Sequence, residues 1–385
     1  MTTIDSLQTQ INSVISLYSN GQIQEALDSV EALIRDYPKE ALLYNISGVC
    51  YKASGQLDAA VESFEKALAI KPDYIEACYN LGIVFMGLDQ LDEAVKSYEK
   101  ALILKPNYAE AHYNLGIAFK KLDQLDAAVE CYEKAIAIKP DYAEAHNNLG
   151  NVLNDLGQLD DAVKSYEKAL ALKPDYAEAH NNLGNAFKKL GQLDATVKSY
   201  EKVLALKPDD AETYNNLGIV YMHLDQTDVA LKCYKKALTF KPDYADAHAN
   251  RGNAMKRLKR LDEALASYEL AIAIDPELAF ILGDIYVTKL RLCIWDDLAS
   301  NLNELTSKVN NGEKALNPFI ALAVIDDPEI QRKAAEIYAN EKYPQCYVLP
   351  KIERYPKHKK IRIGYFSQDF RNHPVSDLTA ELYEM

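Results

Sequence analysis

Eight prolines, Pro38, Pro72, Pro106, Pro140, Pro174, Pro208, Pro242 and Pro276, stand 34 residues apart. A fixed period of that length means that one supersecondary unit recurs, so the chain folds by stacking copies rather than around one central core. Seven glycines keep the same step from Gly48 to Gly252, and so do alanines from Ala26 to Ala264, with Thr196 the one exception. With the proline near the end of each copy, eight units occupy 7–40, 41–74, 75–108, 109–142, 143–176, 177–210, 211–244 and 245–278. Positions below are counted from the first residue of a unit.

Each unit is predicted to hold two amphipathic helices. Leu115, Ala118, Phe119 and Leu122 recur at helical spacing, and so do Leu125, Ala128, Val129, Tyr132 and Ile136. Between the helices stands a residue suited to a left-handed turn, Gly21, Gly55, Asp89, Asp123, Gly157, Gly191 or Asp225, and Lys259 breaks the pattern in unit 8. The second helix ends in Lys-Pro, as at Lys139-Pro140, because proline cannot continue it. Small residues such as Gly116 and Ala128 allow close helix approach, and Tyr132 is expected to fill the gap towards the next unit. Two tyrosine columns, one running from Tyr98 to Tyr268 and one at the unit joints, hold eleven of the 26 tyrosines, against 9 phenylalanines in the chain.

The period and its small, small, aromatic and proline positions resemble the tetratricopeptide repeat. That resemblance implies an all-α, right-handed superhelical solenoid whose first helices line a concave groove. In the family, position 6 faces this groove, and here it is Asn80, Asn114, Asn148, Asn182, Asn216 and Asn250 in six consecutive units. A carboxamide offers both a donor and an acceptor, so such a ladder can grip the backbone of an extended peptide whatever its side chains. The competing role is structural, with the amides bonding neighbouring helices together. Asn151, Asn185 and Asn253 widen the polar surface. Position 2 is acidic from Glu76 to Asp246, which argues against a cationic clamp for a terminal carboxylate. Lys120, Lys121, Lys188, Lys189, Lys256 and Arg257 are read as solvated charges.

Composition narrows the partners. The formal charge is −14, and residues 279–385 carry 14 basic against 15 acidic side chains, so the acidity belongs to the repeats. A nucleic-acid backbone is a poor partner for such a surface. His112, His146, His180 and His248 recur at position 4, too far apart for one metal to share, and are read as packing residues. No metal site is expected. Six scattered cysteines without CxxC spacing, and no basic-apolar leader, point to the cytoplasm. The apolar run from Phe319 to Ile325 is too short for a membrane span.

The period stops near residue 278, since Tyr286 and Asn310 occupy the next glycine and proline positions. A capping helical segment is expected over 279–311 and a linker over 312–359, with a helix around Pro328–Ala339 capped by Asp326 or Asp327. Residues 360–385 read as a β-rich stretch followed by a helix, the first β-α unit of an α/β domain cut short. Lys360-Ile361-Arg362-Ile363-Gly364-Tyr365-Phe366-Ser367, with Asp369-Phe370 and Asn372-His373-Pro374, resembles the start of the catalytic region of protein O-GlcNAc transferases. Cys293-Ile294-Trp295-Asp296-Asp297 and Asn317-Pro318-Phe319 resemble the linker of the same family.

This second resemblance implies a truncated glycosyltransferase domain, UDP-GlcNAc as donor substrate, His373 as a catalytic residue, and a groove that guides protein substrates. The chain itself contains no nucleotide-binding motif, so no cofactor is expected within it. The alternative is a noncatalytic adaptor that gathers partner proteins through the groove.

Overall fold

A computed structural model of the chain describes residues 3–342, which contain twenty α-helices and no strand. The chain divides into two compact units, the first ending at Ala334. Sixteen helices form the eight repeats. They are α1 (Thr3–Ser19), α2 (Ile23–Asp36), α3 (Ala41–Ala53), α4 (Leu57–Ile70), α5 (Ile75–Gly87), α6 (Leu91–Leu104), α7 (Ala109–Lys121) and α8 (Leu125–Ile138). There follow α9 (Ala143–Asp155), α10 (Leu159–Leu172), α11 (Ala177–Lys189), α12 (Leu193–Leu206), α13 (Ala211–His223), α14 (Thr227–Phe240), α15 (Ala245–Arg257) and α16 (Leu261–Ile274).

The turn inside each unit is built as its sequence requires. Gly55 has φ +77°, and its N–H bonds to Lys52 O at 3.1 Å while Gln56 N reaches Tyr51 O at 2.9 Å. This paired closure satisfies carbonyls that the last helical turn leaves open. Asp89, Asp123 and Asp225 take the same conformation, with φ near +60°. Lys259 does too, at φ +60°, although its sequence breaks the pattern. At the far end of units 2, 3, 4, 5 and 7 the lysine before proline lies over the joint tyrosine, as Lys105 does 4.4 Å from the Tyr108 ring centroid.

The tyrosine column and the glycine column are one feature. A Cβ on Gly116 would stand 2.8 Å from Tyr132 Cε1, and one on Gly150 only 2.6 Å from Tyr166 Cε1. Each tyrosine ring therefore lies on the first helix of its own unit, where only glycine leaves room. The expected packing towards the next unit holds as well, since Tyr132 shares a cluster with Leu149.

Position 4 closes the joint between units. Nε2–H of His112, His146, His180 and His248 donates to the carbonyl of Pro106, Pro140, Pro174 and Pro242 at 3.0, 3.2, 3.0 and 2.9 Å. Tyr44 Oη does the same for Pro38 O at 3.3 Å. The histidines are packing residues, as their spacing suggested.

After the repeats come α17 (Ile281–Arg291), α18 (Leu298–Asn310), α19 (Pro318–Val324) and α20 (Pro328–Lys342). The α17 helix continues the stack through Ile281 and Ile285, which cluster with Tyr268 and Leu265. The segment after Gly312 then closes on α17. Gly283 N donates to Ala315 O at 3.0 Å, and a Cβ on Gly283 would sit 2.6 Å from Leu316 Cβ. Asp327 caps α20, its Oδ1 accepting from Glu329 N at 2.9 Å. Residues 360–385, where the β-α unit and His373 are expected, lie outside the described residues, as does Cys346.

Candidate functional site: the inner face of the solenoid

First helices of successive units touch, α3 with α5, α5 with α7, α9 with α11 and α13 with α15, whereas successive second helices make no comparable contact. The first helices therefore lie on the tighter, inner side of the curve. Their position-6 asparagines are all half-buried.

Five of the six bond to position 5 of the preceding unit. Nδ2 donates from Asn80 to Asn45 Oδ1 at 3.4 Å, from Asn182 to Asn147 Oδ1 at 3.1 Å, and from Asn250 to Asn215 Oδ1 at 3.0 Å. Asn114 and Asn148 instead donate to the hydroxyls of Tyr79 and Tyr113, at 2.9 and 3.0 Å. Asn147 donates onward to Glu178 at 3.2 Å. The ladder thus stitches unit to unit along the inner wall, which is the structural role weighed against gripping a ligand.

Stitching does not exhaust the amides. No hydrogen bond among the described residues engages Oδ1 of Asn80, Asn114, Asn182 or Asn250. The only buried side-chain polar atoms lacking a partner among the described residues are Nδ1 of His112 and of His248, so those amide oxygens reach solvent. Each amide is oriented by its neighbour and offers its acceptor to the groove.

Asn151, Asn185 and Asn253, one turn further on, accept from the core hydroxyls of Tyr166, Tyr200 and Tyr268 at 2.9, 2.6 and 2.8 Å. They satisfy phenols at the inner end of the core rather than simply widening the surface. The constant offset of 15 residues between asparagine and tyrosine was the signal for this pairing.

The basic residues at the end of the first helices are cross-unit ties as well. Lys120 pairs with Asp155 at 3.4 Å, Lys121 with Asp89 at 3.8 Å, and Lys256 with Asp284 at 2.7 Å; Arg257 pairs with Asp225. Lys189 donates to Asn154 at 3.0 Å. Lys188 is the exception, with no partner among the described residues. Burial pulls its pKa down, and the charge of Lys189 adds to the effect. Lys256 and Asp284 are 28 residues apart, and the same offset from Lys188 leads to Asn216, the one ladder residue with no side-chain hydrogen bond among the described residues.

The thiols of Cys50, Cys131 and Cys233 are buried and pushed up to about 11, and that of Cys78 is raised by burial too. No group of three or more His, Cys, Asp or Glu side chains among the described residues could hold a metal ion. No helix among them is long and apolar enough to cross a membrane.

Comparison with known families matches the TPR repeat model at residues 48–89, 88–123, 118–154, 150–191 and 184–225, and the tetratricopeptide repeat model at 209–277. The chain belongs to the tetratricopeptide repeat family. The matches together span more than half of its 385 residues and end before the motif at 360–377. Among solved structures, this tetratricopeptide chain is similar to MamA, with 32% identity over 43% of this chain and 96% of that one, at a TM-score of 0.41. A MamA from Desulfovibrio magneticus RS-1 is 24% identical over 45% of this chain and 97% of that one, at a TM-score of 0.42. YrrB, described as a TPR protein with an unusual peptide-binding site, is 26% identical over 49% and 96%, at a TM-score of 0.44. Comparison with curated proteins returned no match.

Proposed function

We propose that the inner face of this tetratricopeptide solenoid binds an extended stretch of a partner protein, and that the chain acts as a noncatalytic adaptor. The observation that carries this is the row of solvent-reaching amide oxygens on Asn80, Asn114, Asn182 and Asn250, each held in place by its bond to the preceding unit. An acceptor row of this kind takes backbone N–H groups. Units stack about 10 Å apart. A polyproline II chain advances about 3.1 Å per residue with three residues per turn, so it presents an equivalent N–H once per unit. A peptide in that conformation meets the ladder in register without regard to its side chains.

The test uses a fluorescein-labelled peptide of about 20 residues, the length that spans the ladder at that rise, capped at both ends so that no terminal carboxylate contributes. Anisotropy should show saturable binding to the 385-residue chain. Replacing Asn114, Asn182 and Asn250 together by alanine should weaken it about 100-fold, at roughly 1 kcal/mol per lost backbone bond. Unchanged affinity, or a loss explained by lower thermal stability alone, leaves the ladder purely structural.

A second reading rests on one observation, the likeness of residues 360–377 to the opening of a protein O-GlcNAc transferase catalytic region. The groove would then present a protein acceptor to a UDP-GlcNAc-dependent transferase in which His373 orients the acceptor hydroxyl or moves its proton. Transfer from UDP-GlcNAc to a groove-bound peptide should occur with polypeptide from the whole reading frame and fall in His373→Ala. Retained peptide binding without transfer leaves the adaptor reading alone.

A further inference from the structure

The internal repeat supplies its own reference sequence, so a unit that departs from it stands out. Position 7 is a buried leucine in five consecutive units, Leu81 to Leu217, and becomes Arg251 in unit 8. Position 25 is glutamate in every unit except unit 7, where it is Lys235. Position 16 is glutamine in the first seven units and Arg260 in the eighth. All three departures add positive charge, and all three side chains line one cleft of about 490 Å³ between α14, α15 and α16. Lys232 and Glu263 complete its polar lining, with Ser267 at its base, and Leu231 and Met255 form an apolar wall.

The cleft is unbalanced in charge. Arg260 spends its guanidinium on Glu263, with two bonds of 2.6 Å. Arg251 Nε donates to Ser267 Oγ at 3.0 Å, and Ser267 in turn donates to Glu263 O at 2.7 Å. That leaves the terminal amino groups of Arg251 and the Nζ atoms of Lys232 and Lys235 without a partner among the described residues. Four cations against one carboxylate leave three net positive charges in a cleft of a solenoid that is otherwise acidic. An arginine in a leucine column gives up core packing, and burial pulls its pKa below the ordinary value, Glu263 partly offsetting that.

We propose that this cleft binds a small organic phosphate, its phosphoryl group on Arg251, Lys235 and Lys232 and its organic body against Leu231 and Met255. Three net charges match a multiply charged phosphoryl group better than a single carboxylate, and the free end of a guanidinium fits phosphate oxygens two at a time. The site is built by α14, α15 and α16 and uses none of the position-6 asparagines, so its occupancy does not depend on the peptide-binding reading.

Calorimetry on the whole chain would use AMP, inorganic phosphate and a phosphoserine peptide as probes, each at matched ionic strength. AMP should bind saturably at one site and more tightly than inorganic phosphate. Arg251→Leu and Lys235→Glu each restore the residue that the other units carry, so both should fold; each should weaken AMP binding by about tenfold or more. Anisotropy with the capped groove peptide should be unchanged in both variants. Absence of saturable AMP binding, or equal affinity in the two variants and the parent chain, overturns the site. AMP binding no tighter than inorganic phosphate overturns the organic body, and tighter binding of the phosphoserine peptide overturns the small-molecule assignment.

Discussion

The pairing of glycine with tyrosine makes Gly150→Ala a sharp test of how the units are held. The new Cβ would stand 2.6, 2.8 and 3.0 Å from Cε1, Cδ1 and Cζ of Tyr166, so the ring must retreat. Tyr166 is 1% exposed, and its hydroxyl is tied to Asn151 at 2.9 Å, which leaves it little freedom to move. Overpacking of this kind costs about 1–3 kcal/mol, and straining the hydroxyl bond adds up to about 1 kcal/mol. Alanine returns about 1 kcal/mol of helix propensity, so the net loss should be near 2 kcal/mol. Gly87→Ala is the matched control. It sits at the end of a first helix, its Cβ would meet only Leu57 Cδ1 at 3.4 Å, and propensity should make it neutral or stabilising by up to about 1 kcal/mol. Urea titration gives the sign of each change, and hydrogen exchange should place the Gly150→Ala loss in α9 and α10, because each unit contacts only its neighbours. Shifts of the same sign in the two variants would refute the account of the glycine column.

Three further outcomes follow from geometry described above. Asn216→Asp should create an ion pair with Lys188 like that of Lys256 with Asp284, raising stability by about 1 kcal/mol at low salt and less at high salt in urea titrations. Lys259→Gly should stabilise unit 8 by about 1 kcal/mol in the same assay, because a lysine at φ +60° bears a steric cost that glycine escapes. Burial, with Glu212 adding, holds the Tyr200 hydroxyl up at about 12, against about 10 for an unfolded tyrosine. Between those values the folded chain keeps a proton that the unfolded chain releases. Stability from this group is therefore complete below about pH 10 and is lost as pH rises through 12, and the urea midpoint of Tyr200→Phe should fall less steeply over that window.

Helix pairs, turns and tyrosine columns were legible because each is written within 34 residues and repeated. The histidines at position 4 were read correctly from spacing alone. The use made of the ladder asparagines was not legible, because an amide at Asn182 is oriented by Asn147 in the previous unit, a partner that periodicity places nearby without assigning its atoms. Lys259 shows the opposite case. Its side chain departs from the pattern while the backbone keeps the turn, since Arg260 N still reaches Met255 O at 3.0 Å. The cleft around Arg251 needed three dimensions, because positions 7, 16 and 25 come from different helices and two units.

The buried thiols have a practical consequence. Cys50, Cys78, Cys131 and Cys233 fall in units 2, 3, 4 and 7, one to a unit, and burial keeps them protonated as well as enclosed. An alkylating reagent can therefore reach each only when its own stretch of the stack opens. The rate of modification at each cysteine, read by mass spectrometry, would act as a clock on a single repeat. Run with and without a bound peptide, four such clocks would show which units a partner holds shut.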